Sequence, residues 1–102
     1  MNNIINMRLH SVPYRKLQSG EKKVECRLYD EKRHKLKVGD VIEFLLRPDF
    51  TEKFERKVVA LHAFPTFEAM YEQFPAERIN NVYQYYTSED EQEYGVVAIE
   101  LE

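Results

Sequence analysis

The stretch SGEKKVECRLYDEKRHKLKVGDVIEF, residues 19–44, contains two strand patterns separated by a polar connection. In residues 22–28 apolar and charged side chains alternate, which predicts a strand with one apolar and one charged face. Residues 29–37 are polar and predict a loop or short turn, after which Gly39 introduces a strongly apolar strand at residues 41–46. With strands and short helices interspersed along the chain in no regular βαβ order, a curled sheet or small barrel decorated by helices is expected.

The rest of the chain adds strands and short helices on both sides of this stretch. Further strands are predicted at residues 4–9, 54–63 and 96–101. The predicted helices are one capped by Ser11 and ended by Gly20, one from about Thr66 to before Pro75, and one capped by Ser88 and ended by Gly95. The pattern predicts a mixed α+β protein, a small β-barrel of about five strands with three or four short helices, in one domain over residues 1–102.

The motifs of phosphate-binding α/β folds are missing. The chain has only three glycines, and neither G-x-G-x-x-G nor G-x-x-x-x-G-K-[ST] occurs. The helix between the first two strands is also too short for a Rossmann crossover. A glycine-rich phosphate loop is therefore excluded.

Charge is distributed unevenly along the chain. Residues 8–37 carry ten Lys or Arg and four Asp or Glu, a net +6, whereas residues 38–102 carry five basic and fourteen acidic residues, a net −9. The total of −3 disfavours nonspecific binding to nucleic acid. The asymmetry instead predicts a basic face for an anion and an acidic face elsewhere, although runs of charge also occur as plain solvated surface.

Composition points to a cytoplasmic protein without a metal or other cofactor. No apolar run reaches the roughly 18 residues that span a bilayer, and the first ten residues lack the pattern of a secretory signal. Cys26, the single cysteine, cannot form an internal disulfide and fits a reducing compartment, and its alternation with apolar neighbours predicts a core position. The three histidines have no metal-ligand spacing.

The central stretch resembles the signature of the ASCH family, G-x-K-x-x-E-x-R followed about a dozen residues later by G-D at the head of a strand. The matching residues are Gly20, Lys22, Glu25, Arg27 and Gly39-Asp40. The similarity extends to the opening MRLH, to LHAFPTFEAMY and to the closing YGVVAIE, so it covers nearly the whole chain. The resemblance implies a PUA-like β-barrel (a pseudobarrel) with a cleft lined by the Lys, Glu and Arg of the motif.

The charged face of the second strand is the first candidate site. Glu25 and Arg27 project from the same face, with Lys22 in the preceding turn, so a cleft there would present two cations and one carboxylate. Arg supplies a planar fork for a phosphate or base edge, and Lys a mobile point charge. The alternative is an internal ion pair between Glu25 and Arg27 that holds the sheet face. Both interpretations can hold together.

Basic and aromatic residues near the motif favour RNA or a nucleotide as the ligand. Single-stranded RNA is bound by stacking of bases on aromatic or Arg planes while basic groups contact the backbone. Tyrosines of the YQYY run, residues 83–86, either stack on bases or pack over the end of the barrel. The candidate binding residues are Arg8, His10, Lys22, Glu25, Arg27, Tyr29, Arg33 and Tyr85.

Two classes of function follow. The domain binds single-stranded RNA, a nucleotide or a nucleoside, or it is a metal-independent hydrolase acting on RNA or a modified nucleoside, with Lys22 and Glu25 as catalytic candidates. One ASCH branch resembles an acetylcytidine amidohydrolase with a nucleophilic Thr three residues after the Lys. Glu25 stands at that position here, and a carboxylate would change the intermediate to an anhydride. This departure counts against the amidohydrolase and leaves a ribonuclease possible.

Overall fold

The computed structural model describes residues 4–102, which form five strands and five short α-helices. The strands are β1 (Ile4–Leu9), β2 (Val24–Leu28), β3 (Val41–Leu46), β4 (Lys53–Phe64) and β5 (Val96–Leu101). The helices are α1 (Ser11–Ser19), α2 (Glu31–His34), α3 (Phe67–Gln73), α4 (Val82–Tyr85) and α5 (Ser88–Tyr94), with a 3-10 turn at Pro75–Glu77. All five predicted strands are present, which confirms the mixed α+β prediction.

The sheet has the strand order β1-β3-β4-β5-β2. Only β1 and β3 are parallel, and the other neighbours are antiparallel. β1 and β2 lie at opposite ends of this order, yet Nη2 of Arg27 on β2 donates to the carbonyl of Arg8 on β1 at 3.4 Å. The sheet therefore curls until its two edges meet, as in a PUA-like pseudobarrel.

Strand β5 is the centre of the fold because both of its faces are buried. Val97, Ile99 and Leu101 join the cluster inside the barrel, and Val96 and Ala98 join a second cluster beneath α3. A strand that is covered on both faces needs a continuous apolar run and not an alternating one. The sequence VVAIEL meets this requirement almost completely.

The pairing of β2 with β5 decides where the charged face of β2 points. Glu25 lies opposite Ile99 and Arg27 opposite Val97, and residues directly opposite each other in an antiparallel pair share a face. Glu25 and Arg27 therefore face the barrel side of the sheet, and Cys26, opposite Ala98, faces α3. The predicted alternation is confirmed, but the charged face lies on the inner side of the sheet.

Helix starts match the sequence patterns except in the choice of capping residue. Thr66 caps α3 as expected, since its hydroxyl accepts from the backbone N–H of Ala69 at 3.1 Å. The prediction of Ser88 as the cap of α5 was wrong, because Thr87 is extended and its hydroxyl accepts from Asp90 N at 3.1 Å. Two capping patterns, T-x-x-D and S-x-x-E, overlap at this point, and the helix begins after the first residue of the earlier pattern. Likewise His10, not Ser11, occupies the cap position of α1.

Two helices were not predicted as helices. The polar stretch 29–37 contains α2, a single turn in which the Asp30 side chain accepts from Arg33 N at 3.1 Å. The YQYY stretch, residues 83–86, overlaps α4, which is also a single turn. Four-residue helices are too short to show hydrophobic periodicity, so the sequence indicated only polar or aromatic loops there. The structure has five short α-helices where three or four were predicted.

Candidate nucleic-acid interface

An open cavity of about 440 Å³ lies where β1, β2, α2 and the end of β3 come together. Its lining residues are Asn6, Met7, Arg8, Arg27, Lys32, Arg33, Leu45 and Arg47. Five of these eight carry a positive charge and none is acidic. The fold thus concentrates cations from four separate segments around one opening.

Only two of the five cations have a carboxylate partner among residues 4–102. Arg27 Nη2 lies 3.7 Å from Oε2 of Glu25, and Arg33 Nη1 lies 3.2 Å from Oδ2 of Asp30. Arg8 is placed over the ring of Phe50, with its guanidinium carbon 5.1 Å from the ring centroid. Arg8, Lys32 and Arg47 form no ion pair with another described residue, so the cavity keeps a surplus of about three positive charges.

Glu25 is a buried carboxylate between two cations. The residue is 5% exposed, and its Oε1 accepts from the N–H of Cys26 at 3.1 Å and lies 4.0 Å from Lys22 Nζ. Its Oε2 faces Arg27 but has no hydrogen-bond partner among the described residues. Burial of a charge is unfavourable unless it is paired, so Lys22 and Arg27 stabilise this carboxylate. Arg27 is therefore both an ion-pair partner and part of the cavity wall.

Lys22 is held by two carboxylates. Its Nζ lies 3.3 Å from Oε1 of Glu77 and 4.0 Å from Oε1 of Glu25. Glu77 belongs to the 3-10 turn after α3, about fifty residues further along the chain, and no sequence signal connected it with the motif. The Lys22 side chain is mostly buried and does not line the cavity, and Glu25 and Arg27 connect it to the cavity.

The predicted binding residues divide into two groups. Arg8, Arg27 and Arg33 come together around the cavity, whereas His10 and Tyr85 do not line it and lie exposed at the start of α1 and in α4. Tyr29 is half-buried, and its ring stacks on His34 with 3.7 Å between centroids, so one face of this ring is already covered.

Packing describes two of the YQYY tyrosines, Tyr83 and Tyr86, while stacking on bases stays a prediction. Tyr86 packs against Phe67 with 5.2 Å between ring centroids, and Tyr83 donates to both oxygens of the buried Glu91 at 3.1 Å. Tyr85 is 72% exposed and leaves its ring available for contact with a ligand.

Arg47 was missed as a candidate, and Lys32 was counted only among the general basic residues. Arg47 directly follows β3, and its N–H donates to the carbonyl of Leu9 at 2.8 Å, which fixes it beside β1. The available signal was a lone arginine at the end of the most apolar strand. Its proximity to Arg8 depends on the parallel pairing of β1 with β3, which local sequence does not specify.

Cys26 does not take part in the cavity. Burial raises the pKa of its thiol to about 12, with a further contribution from the nearby Glu77 carboxylate. The thiolate is therefore scarce at neutral pH, which agrees with the predicted core position. Within residues 4–102, no group of three or more His, Cys, Asp or Glu side chains could hold a metal ion, and no helix has the length and hydropathy to cross a bilayer.

Replacement of Arg27 by Met is expected to lower the free energy of unfolding by about 2 kcal/mol, because Glu25 loses one of its two cations. The value lies below the roughly 3–5 kcal/mol typical of broken buried pairs, since Lys22 remains and Arg27 is 20% exposed. Urea unfolding followed by circular dichroism measures the change. Recovery of at least half the loss is expected in Arg27→Met/Glu25→Gln, which removes the carboxylate charge as well.

The matched control is Arg78→Met, which breaks the exposed pair between Arg78 and Glu68 and the contact of Arg78 with the Tyr71 ring, and which should lower the free energy of unfolding by less than about 1 kcal/mol. A wild-type midpoint for Arg27→Met would contradict the structural role of the ion pair. Unchanged ligand binding by a destabilised Arg27→Met would contradict the role of Arg27 in the cavity.

Comparisons with known proteins agree with the geometry of the fold. The hypothetical protein PH0355, solved by crystallography, is 32% identical, with a TM-score of 0.79 over 100% of this chain and 98% of that one. The NMR structure of protein PF0455 from Pyrococcus furiosus is 34% identical, with a TM-score of 0.74 over 97% and 96% of the two chains. A search of curated proteins found no significant match.

The sequence resemblance is tested by the family model. The model of the ASCH domain matches residues 7–102, which include every strand except the first half of β1. With a curled five-strand sheet, the motif residues of β2 beside one cavity, and this match over nearly the whole length, the chain belongs to the ASCH domain family.

Proposed function

We propose that this ASCH domain binds single-stranded RNA or a nucleotide through the cationic cavity. The observation that carries the proposal is the convergence of five cationic side chains, four of them Arg, on one cavity without an acidic lining residue. Arg guanidinium groups make paired hydrogen bonds to phosphate oxygens, which makes such a cluster suited to a phosphate-bearing ligand.

The size and lining of the cavity fit one nucleotide better than a long segment. Its volume of about 440 Å³ is at the small-ligand end of the roughly 300–1,000 Å³ range of ligand pockets. Asn6 adds an amide that can donate to and accept from a base edge or ribose, while Met7 and Leu45 add apolar surface. In one nucleotide, the phosphate would contact the cations, and the sugar or base would contact the amide and the apolar surface.

Affinity for a fluorescently labelled single-stranded RNA is expected to fall by roughly threefold between 50 and 200 mM salt. Neutralisation of one phosphate by the cavity gives a slope near −0.7 in a plot of log affinity against log salt concentration. Fluorescence anisotropy measures this slope. Equal affinity at both salt concentrations would remove the electrostatic basis of the proposal.

A second candidate function is hydrolysis of RNA or a modified nucleoside. The observation that favours it is the pair of Lys22 and Glu25, 4.0 Å apart, in which the buried Oε2 of Glu25 has no hydrogen-bond partner among residues 4–102. A carboxylate of this kind could accept a proton from a substrate held beside Arg27, and Lys22, which does not line the cavity, would act by orienting Glu25. RNA and acetylcytidine incubated with the purified protein, without added metal, test this candidate.

A further inference from the structure

We propose that the cavity recognises the terminal phosphate group of an RNA or nucleotide, a phosphomonoester or polyphosphate, in preference to an internal phosphodiester. The inference deepens the proposed function and rests on it, since it names the part of the ligand that the cavity holds. Three features of the cavity support it: its charge, its hydrogen-bond donors and its shape.

The charge of the cavity exceeds what one phosphodiester neutralises. Five lining cations, with Glu25 and Asp30 as their carboxylate partners, leave a surplus of three positive charges. An internal phosphodiester carries one negative charge, whereas a terminal phosphate carries about 1.5 to 2 and a polyphosphate carries more. A terminal group therefore matches the surplus, and a single internal phosphate leaves most of it uncompensated.

The number of donors leads to the same conclusion. Each Arg presents five N–H donors in a planar fork, and four Arg side chains line the cavity. Few of these donors are used among the described residues: the Arg27 side chain makes one long bond to the Arg8 carbonyl, and the Arg33 side chain makes one to Asp30. A terminal phosphate offers three unesterified oxygens per end group, and a phosphodiester offers two. A terminal phosphate therefore accepts hydrogen bonds from more of the unused Arg donors than a phosphodiester does.

The cations are arranged as a cluster and not as a track. Proteins that bind an extended single strand usually carry basic groups along a groove that follows the backbone. Here residues 38–102 hold only five basic residues against fourteen acidic ones, and one of the five, Arg47, already belongs to the cavity. Three of the lining cations are held in place, Arg27 by Glu25, Arg33 by Asp30 and Arg8 by Phe50. Such preorganisation favours a compact polyanion.

The test compares RNA oligonucleotides of one sequence that end in a 5′-hydroxyl, a 5′-monophosphate, a 3′-monophosphate or a 5′-triphosphate, in the presence of EDTA. Adenosine, AMP and ATP form a second series that separates an RNA end from a free nucleotide. We expect at least about tenfold tighter binding of the 5′-triphosphate RNA than of the 5′-hydroxyl RNA, the effect of one further charge-assisted contact. Arg47→Gln should remove most of this difference, and Lys57→Gln, an exposed lysine outside the cavity, should preserve it.

The outcomes separate the inference from the proposed function. Salt-sensitive binding of all four RNAs with equal affinity would overturn the terminal-phosphate inference and leave RNA binding intact. Absence of binding to every RNA and every nucleotide would overturn both. A phosphate preference that persists unchanged in Arg47→Gln would place the recognition elsewhere and so overturn the assignment to this cavity.

Discussion

The double variant Arg8→Gln/Arg47→Gln is expected to bind single-stranded RNA at least about a hundredfold more weakly than the wild type. Arg8 and Arg47 are the two cavity arginines without a carboxylate partner among the described residues, so their full charge is available to a phosphate. A charge-assisted hydrogen bond contributes about 1.5–3 kcal/mol, or roughly ten- to a hundredfold in affinity, and two such bonds are removed. The salt slope should also become shallower by about 0.7 for each phosphate that the variant no longer neutralises.

Stability is expected to change little in this double variant. Both side chains are exposed, and the hydrogen bond from Arg47 to Leu9 uses the backbone N–H, which Gln retains. Among residues 4–102, the contact that the variant removes is the packing of the Arg8 guanidinium on the ring of Phe50. A circular dichroism melting curve close to that of the wild type would show that weaker binding does not reflect unfolding.

The matched control is Lys23→Gln/Lys57→Gln, which lowers the net charge by the same two units at exposed positions outside the cavity. Affinity should then change by less than about threefold, since neither lysine lines the cavity and salt screens exposed charges that do not contact the ligand. Equal losses in the two double variants would mean that net charge, and not the cavity, determines binding.

Glu25→Gln is expected to reduce RNA affinity by no more than about ten- to a hundredfold, the scale of one charge-assisted hydrogen bond. Gln keeps the shape of the side chain and the oxygen that accepts from Cys26 N, and it removes only the charge between Lys22 and Arg27. Without the carboxylate charge, Arg27 is held less firmly, which weakens RNA binding. The cavity also becomes more positive, which strengthens RNA binding and partly offsets that effect. Anisotropy titrations of both proteins at one salt concentration give the ratio.

The same variant separates binding from catalysis. If Glu25 transfers a proton, Glu25→Gln lowers the rate of RNA cleavage or deacetylation by roughly a hundred- to ten-thousandfold while substrate still binds. A selective loss of rate of this size would exclude a function in binding alone. Absence of product from wild-type protein that demonstrably binds would instead exclude hydrolysis of the substrates tested. Lys23→Gln, at an exposed lysine next to the motif, is the control that should leave both affinity and rate close to wild type.

The sequence determined the local elements of this protein because the patterns that specify them are local. Alternation in β2 predicted that Glu25 and Arg27 share a face opposite Cys26, and the apolar run of β5 predicted the closing strand. The G-x-K-x-x-E-x-R motif identified the family and, through it, the barrel. The single-turn helices α2 and α4 were not predicted, because four residues are too few to show a helical periodicity.

Tertiary structure alone decided the site. Parallel pairing of β1 with β3 brings Arg8 near Arg47, and curling of the sheet brings Arg27 to the edge of β1, so cations distant in sequence surround one cavity. The turn after α3 places Glu77 against Lys22, which turns a predicted cleft residue into a mostly buried ion-pair partner. Such contacts depend on strand order and on the energetic need to pair charges that folding removes from water. Neither is encoded in the spacing of neighbouring residues, which is why the sequence indicated the types of side chain at the site and the fold determined which of them face a ligand.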